Sequence, residues 1–186
     1  MSNRNSILPD KTIVLVGLMG SGKTAIGRSL ANRTGRVFVD SDDEVRRHTG
    51  TSIAEMFAHD GEEAFRKEER RIIISLLNNS PHVLATGGGA FLDPCTRKHI
   101  LSKAISVWLH ANLRALLDRV HVTSDRPLLR HGNPQNIMQQ LMNERYPIYA
   151  KANLTVKTSD RSQTWVVDKV FDMLTKEYRS LTTGKA

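Results

Sequence analysis

The stretch GLMGSGKT, residues 17–24, follows the apolar run Ile13-Val14-Leu15-Val16 and opens a segment of helical spacing. It matches G-x-x-x-x-G-K-[ST], set between a strand and a helix as that motif requires. Glycines in such density cost backbone entropy. In return the loop can curl until several N–H groups point inward at one anion. The helix that starts near Lys23 adds its positive dipole end. Lys23 is expected to reach the β- and γ-phosphates, and the Thr24 hydroxyl to ligate Mg²⁺. The nucleotide contacts expected here come from Gly17, Gly20, Ser21, Gly22, Lys23, Thr24 and Ala25. The chain therefore reads as a binder of ATP or GTP, and its function turns on where the phosphoryl group goes.

Working outward, apolar runs at 12–16, 37–39, 82–86, 104–109 and 154–157 read as strands. Between them the spacing is helical. Ile26 and Leu30 lie four apart before Gly35, a C-cap. Phe65, Ile72, Ile73, Leu76 and Leu77 mark a longer face, as do Leu113, Leu116, Leu117 and Val120, and later Val166, Val170 and Leu174. Ser52-Ile-Ala-Glu55 fits a capping box. Strand–helix alternation of this kind argues for an α/β fold, a parallel sheet covered by helices on both faces. Residues 121–134, HVTSDRPLLRHGNP, have little periodicity, and long connections of that sort are often functional lids.

Composition narrows the classes. The 186 residues suit one domain, 1–186, and carry a formal net charge of +8. Asp40 to Arg70 is nonetheless rich in acid. No run of five like charges and no aromatic platform among basic residues points to nucleic acid. No apolar stretch approaches the ~20 residues that span a bilayer, and no apolar leader precedes the first strand. With Cys95 as the single cysteine, a cytoplasmic protein is expected, and Cys95 itself reads as a small structural thiol. The histidines show no zinc spacing.

The second strand ends in Phe38-Val39-Asp40-Ser41-Asp42-Asp43. In an open parallel sheet, ligands bind beyond the carboxyl ends of strands. On extended backbone, Asp40 and Asp42 point the same way. One carboxylate could hold a metal through water and the other accept a hydroxyl proton, or both could cap the next helix. Asp43 reads as a cap. The third strand ends in Thr86-Gly87-Gly88-Gly89, where glycines permit close backbone approach to a ligand. Ala85 and Thr86 stand where the second acid of such nucleotide sites usually lies, which throws metal duty onto Thr24 and Asp40.

Taken in order, GLMGSGKT, FVDSD at 38–42, IAEMFAHDGEEAFR at 53–66, TGGGA at 86–90, RPLL at 126–129 and ERYPIY at 144–149 resemble the shikimate kinase family, from Thr12 to about Leu174. The resemblance implies a three-layer P-loop fold with a five-stranded parallel sheet, order 2-3-1-4-5, a substrate region at about 42–70 and a lid at about 121–134. It implies ATP and Mg²⁺, and transfer of the γ-phosphoryl group to the 3-hydroxyl of shikimate by a monomer. By motif, Asp42 contacts the attacked hydroxyl, and Asp40 supports Mg²⁺ with Thr24. Arg66 and Arg145 grip the shikimate carboxylate. Gly87, Gly88 and Gly89 offer backbone N–H groups, while Phe57 and Phe65 wall the ring. Lys23 and Arg126 stabilise the transferring phosphoryl group, Arg126 from the lid. An arginine stacks on adenine, with Arg119 and Arg161 both near the place. Another small kinase acting on gluconate or a nucleoside monophosphate, or a nucleotide-dependent switch, stands as the alternative.

Overall fold

The structure is a computed structural model that describes residues 8–121 and 133–183. Strand β1 (Thr12–Val16) is buried along its whole length, as a strand covered on both faces must be. Its side chains alternate between two cores. Ile13 and Leu15 face one with Ile26, Leu30, Val166 and Val170, while Val14 and Val16 face the other with Ile73, Ile100, Leu116 and Met138. This period of two divides the helices into layers. On the first face lie α1 (Lys23–Thr34) and α8 (Gln163–Thr183). On the second lie α4 (Gly61–Leu76), α5 (Pro94–Lys103), α6 (Leu113–His121) and α7 (Pro134–Tyr149).

The remaining strands are β2 (Phe38–Asp40), β3 (Val83–Ala85), β4 (Ala104–His110) and β5 (Leu154–Lys157), all parallel, in the order β2-β3-β1-β4-β5. The expected order and class are met; strand ends differ from the sequence reading by a residue or so. Edge strand β5 shows alternating burial, whereas central β4 is buried at six of its seven positions. The register sets Leu15 and Asp40 level with Ala85 from its two sides. Three strand tips therefore end at one height, and each loop that leaves them enters the same space.

Helices α2 (Ser41–Thr49) and α3 (Ile53–His59) pack with α4 around Val45, Met56, Phe65 and Ile72. This satellite core covers the segment read as the substrate region. Helix α3 starts with the expected capping box: Ser52 accepts from the Glu55 N–H, and Glu55 accepts from the Ser52 N–H. Gly35 ends α1 in the left-handed conformation, as read from sequence. Cys95 is exposed, with Sγ 3.8 Å from His99 Nδ1. No helix among the described residues is long and apolar enough to cross a membrane.

Candidate active site

The loop after β1 is held by its own lysine. Lys23 Nζ donates to the carbonyls of Gly17 (2.9 Å) and Leu18 (2.8 Å). Gly22 N-caps α1 with φ 94° and no side-chain cap, so the first N–H groups of the helix stay open to an anion. Gly20 has φ 76°, and a Cβ there would lie 2.9 Å from Val120 Cγ2. Ser21 is buried within the loop.

A cleft of about 350 Å³ opens above the strand tips. Gly20, Gly22, Lys23, Thr24 and Ala25 line it from the loop and the start of α1. Asp40, Asp42, Gly87, Gly88 and Arg119 line it as well. Thr24 Oγ1 donates to Asp40 Oδ2 at 3.1 Å. Asp40 also N-caps α2, accepting the Asp42 N–H at 3.0 Å. Asp40 thus caps α2, the plainer alternative read from sequence, and with its other oxygen holds the Thr24 hydroxyl. Asp42 does not lie on extended backbone: α2 has begun at Ser41. The two acids share the cleft because a helix turn, not a pleat, brings Asp42 round. Asp43 pairs with Arg46 instead of capping.

The donor set suits magnesium. Among the described residues no group of three or more His, Cys, Asp or Glu is arranged to hold a metal. One hydroxyl beside one carboxylate is what Mg²⁺ takes when waters and phosphates complete its shell.

Beside Asp42 lies an ionic cluster that runs from buried Glu69 through Arg66 to exposed Glu62. Arg66 Nη1 donates to Glu69 Oε2 at 2.7 Å, and its other nitrogens reach Glu62. Glu69 is only 2% exposed, and its Oε1 has no hydrogen-bond partner. Burial pulls the Arg66 pKa down, but Glu69 and Glu62 outweigh it and the value rises. For Glu69, burial lifts the pKa to about 7; Arg66 opposes this, and Asp42 and Asp93 reinforce it. Both values rise, which favours the charged form of Arg66 and the neutral form of Glu69. Burial decides the carboxyl because one oxygen is left unpaired.

The sign of the resulting pH dependence follows. The folded carboxyl binds its proton more tightly than the unfolded one, so its stabilisation is complete below about pH 4.5 and is lost as pH rises through 7. Denaturant unfolding at pH 5.5 and pH 8 is expected to show this group's share, about 2 kcal/mol, in wild type and not in Glu69→Gln. An identical pH slope in both proteins would remove the assignment.

The triple glycine is crowded. A Cβ on Gly87 would lie 2.5 Å from Glu69 Oε1 and 2.8 Å from Asp42 Oδ1; on Gly89, 2.4 Å from the Arg66 guanidinium. Gly88 has more room, with Gly17 O at 3.6 Å and Arg145 Nη1 at 3.8 Å. Both arginines therefore meet at this turn, Arg66 beside Gly89 and Arg145 beside Gly88. The Gly87 N–H is tied to Ser41 Oγ at 3.0 Å.

Phe65 is buried and Phe57 is 39% exposed, their rings 4.8 Å apart, with Arg66 over the Phe65 face. Of the two arginines left open for adenine, the structure brings Arg119 to the cleft, where it donates to Gly20 O and Thr158 O. Arg161 lies over Trp165 instead, 4.6 Å from the ring. Arg126 and most of the 121–134 segment lie outside the described residues. The sequence reading passed over Glu69, although its i, i+3 spacing from Arg66 was a signal. It also gave no role to Tyr149, four residues after Arg145.

A phosphate-binding loop and an acid pair at parallel strand tips, with an arginine pair brought beside them by α4 and α7, define a kinase of the P-loop class. The match to family models is to shikimate kinase, over residues 19–175. A shikimate kinase of Paramagnetospirillum magneticum is 50% identical over 164 residues, 88% of this chain and 84% of that protein. A solved shikimate kinase from Acinetobacter baumannii, in complex with shikimate, superposes with TM-score 0.88 at 34% identity, covering 94% of this chain and 98% of that one. A gluconokinase from Sinorhizobium meliloti shares the fold, with TM-score 0.61 at 17% identity over 95% and 98% of the two chains. The chain belongs to the shikimate kinase family.

Proposed function

We propose that this chain transfers the γ-phosphoryl group of ATP to the 3-hydroxyl of shikimate. The observation that carries the reading is one cleft lined by Lys23, Thr24, Asp40, Asp42, Gly87 and Gly88, with Arg145 beside Gly88 and Arg66 beside Gly89 at the same turn. Its parts divide the work as phosphoryl transfer requires. Little covalent help is needed, but alignment and charge neutralisation are.

The loop N–H groups and Lys23 hold the phosphates. Thr24 and Asp40 would hold Mg²⁺, which when bound neutralises phosphate charge. Arg66 and Arg145 grip the substrate carboxylate, for which the planar guanidinium is the suited partner. That grip turns the attacked hydroxyl toward Asp42, which orients it and takes its proton as the new O–P bond forms. Phe57 and Phe65 wall the ring. Gly87, Gly88 and Gly89 let the backbone come close. Arg119 is the better placed of the two arginines for adenine, and Arg126, by its RPLL motif, completes the site from the 121–134 lid. Water kept out of the closed site cannot hydrolyse ATP.

Residues 1–186 act as one catalytic domain, with 42–70 as its substrate region. A monomer suffices, because one chain contributes every group named. Cytoplasmic ATP and a free exposed thiol suit the same compartment.

The test is ADP release with shikimate, gluconate and AMP offered separately. Turnover with shikimate alone is expected. Turnover with gluconate or AMP would transfer the site to another small kinase. Slow hydrolysis indifferent to all three would favour a switch.

A further inference from the structure

Tyr149 ends α7 and is fully buried, its ring 6.1 Å from that of Trp108 and 6.4 Å from that of Tyr146. Its hydroxyl donates to the carbonyl of Gly88, 61 residues away in sequence. A fully buried phenol has no packing reason to end on a carbonyl of a crowded glycine turn. A phenylalanine would fill the same space. Burial pushes the phenol up to about 12 against the opposing pull of Arg145 and Arg66, so it keeps its proton throughout the working range and has one bond to give.

The acceptor matters because of what flanks it. Arg145 lies beside Gly88, and Arg66 beside Gly89. Peptide 88–89 is the spacer between the two guanidinium groups. A trans peptide is planar, so fixing the Gly88 carbonyl also fixes the Gly89 N–H, which points the opposite way. Among the described residues no hydrogen bond takes the Gly88 or Gly89 N–H. The Ala90 N–H donates to Gly87 O and closes a four-residue turn around peptide 88–89, but turns closed by that bond differ by a flip of the central peptide; among the described residues the Tyr149 bond is the one made to the peptide itself. Arg145 and Tyr149, at i and i+4, share one face of α7, so the helix presents a carboxylate grip and the hydroxyl that sets its neighbour together.

We propose that Tyr149 is a positioning residue: its hydroxyl locks peptide 88–89 and so sets the spacing of Arg66 and Arg145 for an acid substrate before that substrate arrives. The claim rests on the reading of shikimate as substrate and goes beyond it. Tyr149 touches no reacting atom and acts only through the turn and the arginine pair.

Tyr149→Phe removes one oxygen and keeps the ring. Loss of the hydroxyl, with its bond to Gly88 and its contact with Arg145, is expected to raise KM for shikimate roughly five- to tenfold. The kcat and the KM for ATP should stay within about twofold, and the melting temperature within about 5 °C. In ligand-free protein, the ¹³C resonance of the Gly88 carbonyl and the ¹⁵N–¹H resonance of Gly89 should both shift, because the bond exists before substrate binds. An unchanged KM for shikimate would overturn the proposal. So would unmoved Gly88 and Gly89 resonances, or a uniform loss in all three kinetic constants with a lowered melting temperature, which marks a merely structural residue. Wild type active on shikimate with an indifferent Tyr149→Phe sinks only this inference; wild type inactive on shikimate sinks the functional reading, and this inference with it.

Discussion

Asp42→Asn is expected to lower kcat for shikimate phosphorylation by roughly 10²–10⁴-fold, the range for loss of a positioned proton acceptor. Asparagine keeps the shape and length of the side chain. It loses the charge that draws the proton from the hydroxyl as the new O–P bond forms. ATP affinity should change little, because in the proposed mechanism Lys23 and the loop N–H groups, not Asp42, hold the phosphates. A second effect separates loss of charge from loss of fold. The Asp42 carboxylate is one of the groups that raise the Glu69 pKa. Neutralising it should therefore bring Glu69 down from about 7, an outcome readable from the ¹³C shift of its carboxyl with pH. The kinetic test is single-turnover phosphoryl transfer at saturating ATP. A drop of only a few-fold would mean that Asp42 orients the hydroxyl and another group, or solvent, takes the proton.

Gly87→Ala is expected to damage both stability and catalysis. Its Cβ would lie 2.5 Å from Glu69 Oε1 and 2.8 Å from Asp42 Oδ1. Glu69 cannot swing clear, because it is almost wholly buried and its other oxygen is held by Arg66. Asp42 cannot move without leaving the place where the hydroxyl must sit. Overpacking of this kind costs about 1–3 kcal/mol in stability. A carboxylate displaced by 1 Å costs about 10²-fold in rate. Gly88→Ala is the internal control. Its nearest neighbours are at 3.6 and 3.8 Å, ordinary contact distances, so its melting temperature should fall by less than that of Gly87→Ala. Equal losses in the two variants would show that flexibility of the turn, not the crowding at Gly87, is what matters.

Much of the site was legible because its signals are local. A phosphate-binding loop is specified by glycines and a lysine at fixed spacing, and the strand before it and the helix after it lie within a few residues. The capping box of α3 and the C-cap of α1 are likewise local, and both formed as read. The Asp-x-Asp pair illustrates the limit. Its place at a strand tip was readable, but the reading treated the backbone as extended. Asp40 instead closes β2 and caps α2 in the same residue, so Asp42 reaches the cleft from a helix. Helix or strand over so short a polar stretch is decided by what packs on it, here Val45 against Met56 and Phe65. Arg119 and Arg161 could not be ranked by spacing. Their difference depends on where α6 and the loop before α8 lie relative to the cleft, and on Trp165 at the start of α8, which holds Arg161.

The acids, glycines and arginines of the proposed site were read from a family resemblance; from its order of residues alone, this chain determined a parallel α/β sheet and a phosphate-binding loop at the tip of the first strand. Those follow from periodicity and short-range geometry, which are written in neighbouring residues. Tertiary structure alone decided the level register of Leu15, Ala85 and Asp40, the burial that lifts Glu69, and the hydroxyl of Tyr149 on Gly88. Each depends on groups dozens of residues apart being brought within a few ångströms, and on water being excluded between them. No local pattern encodes that exclusion.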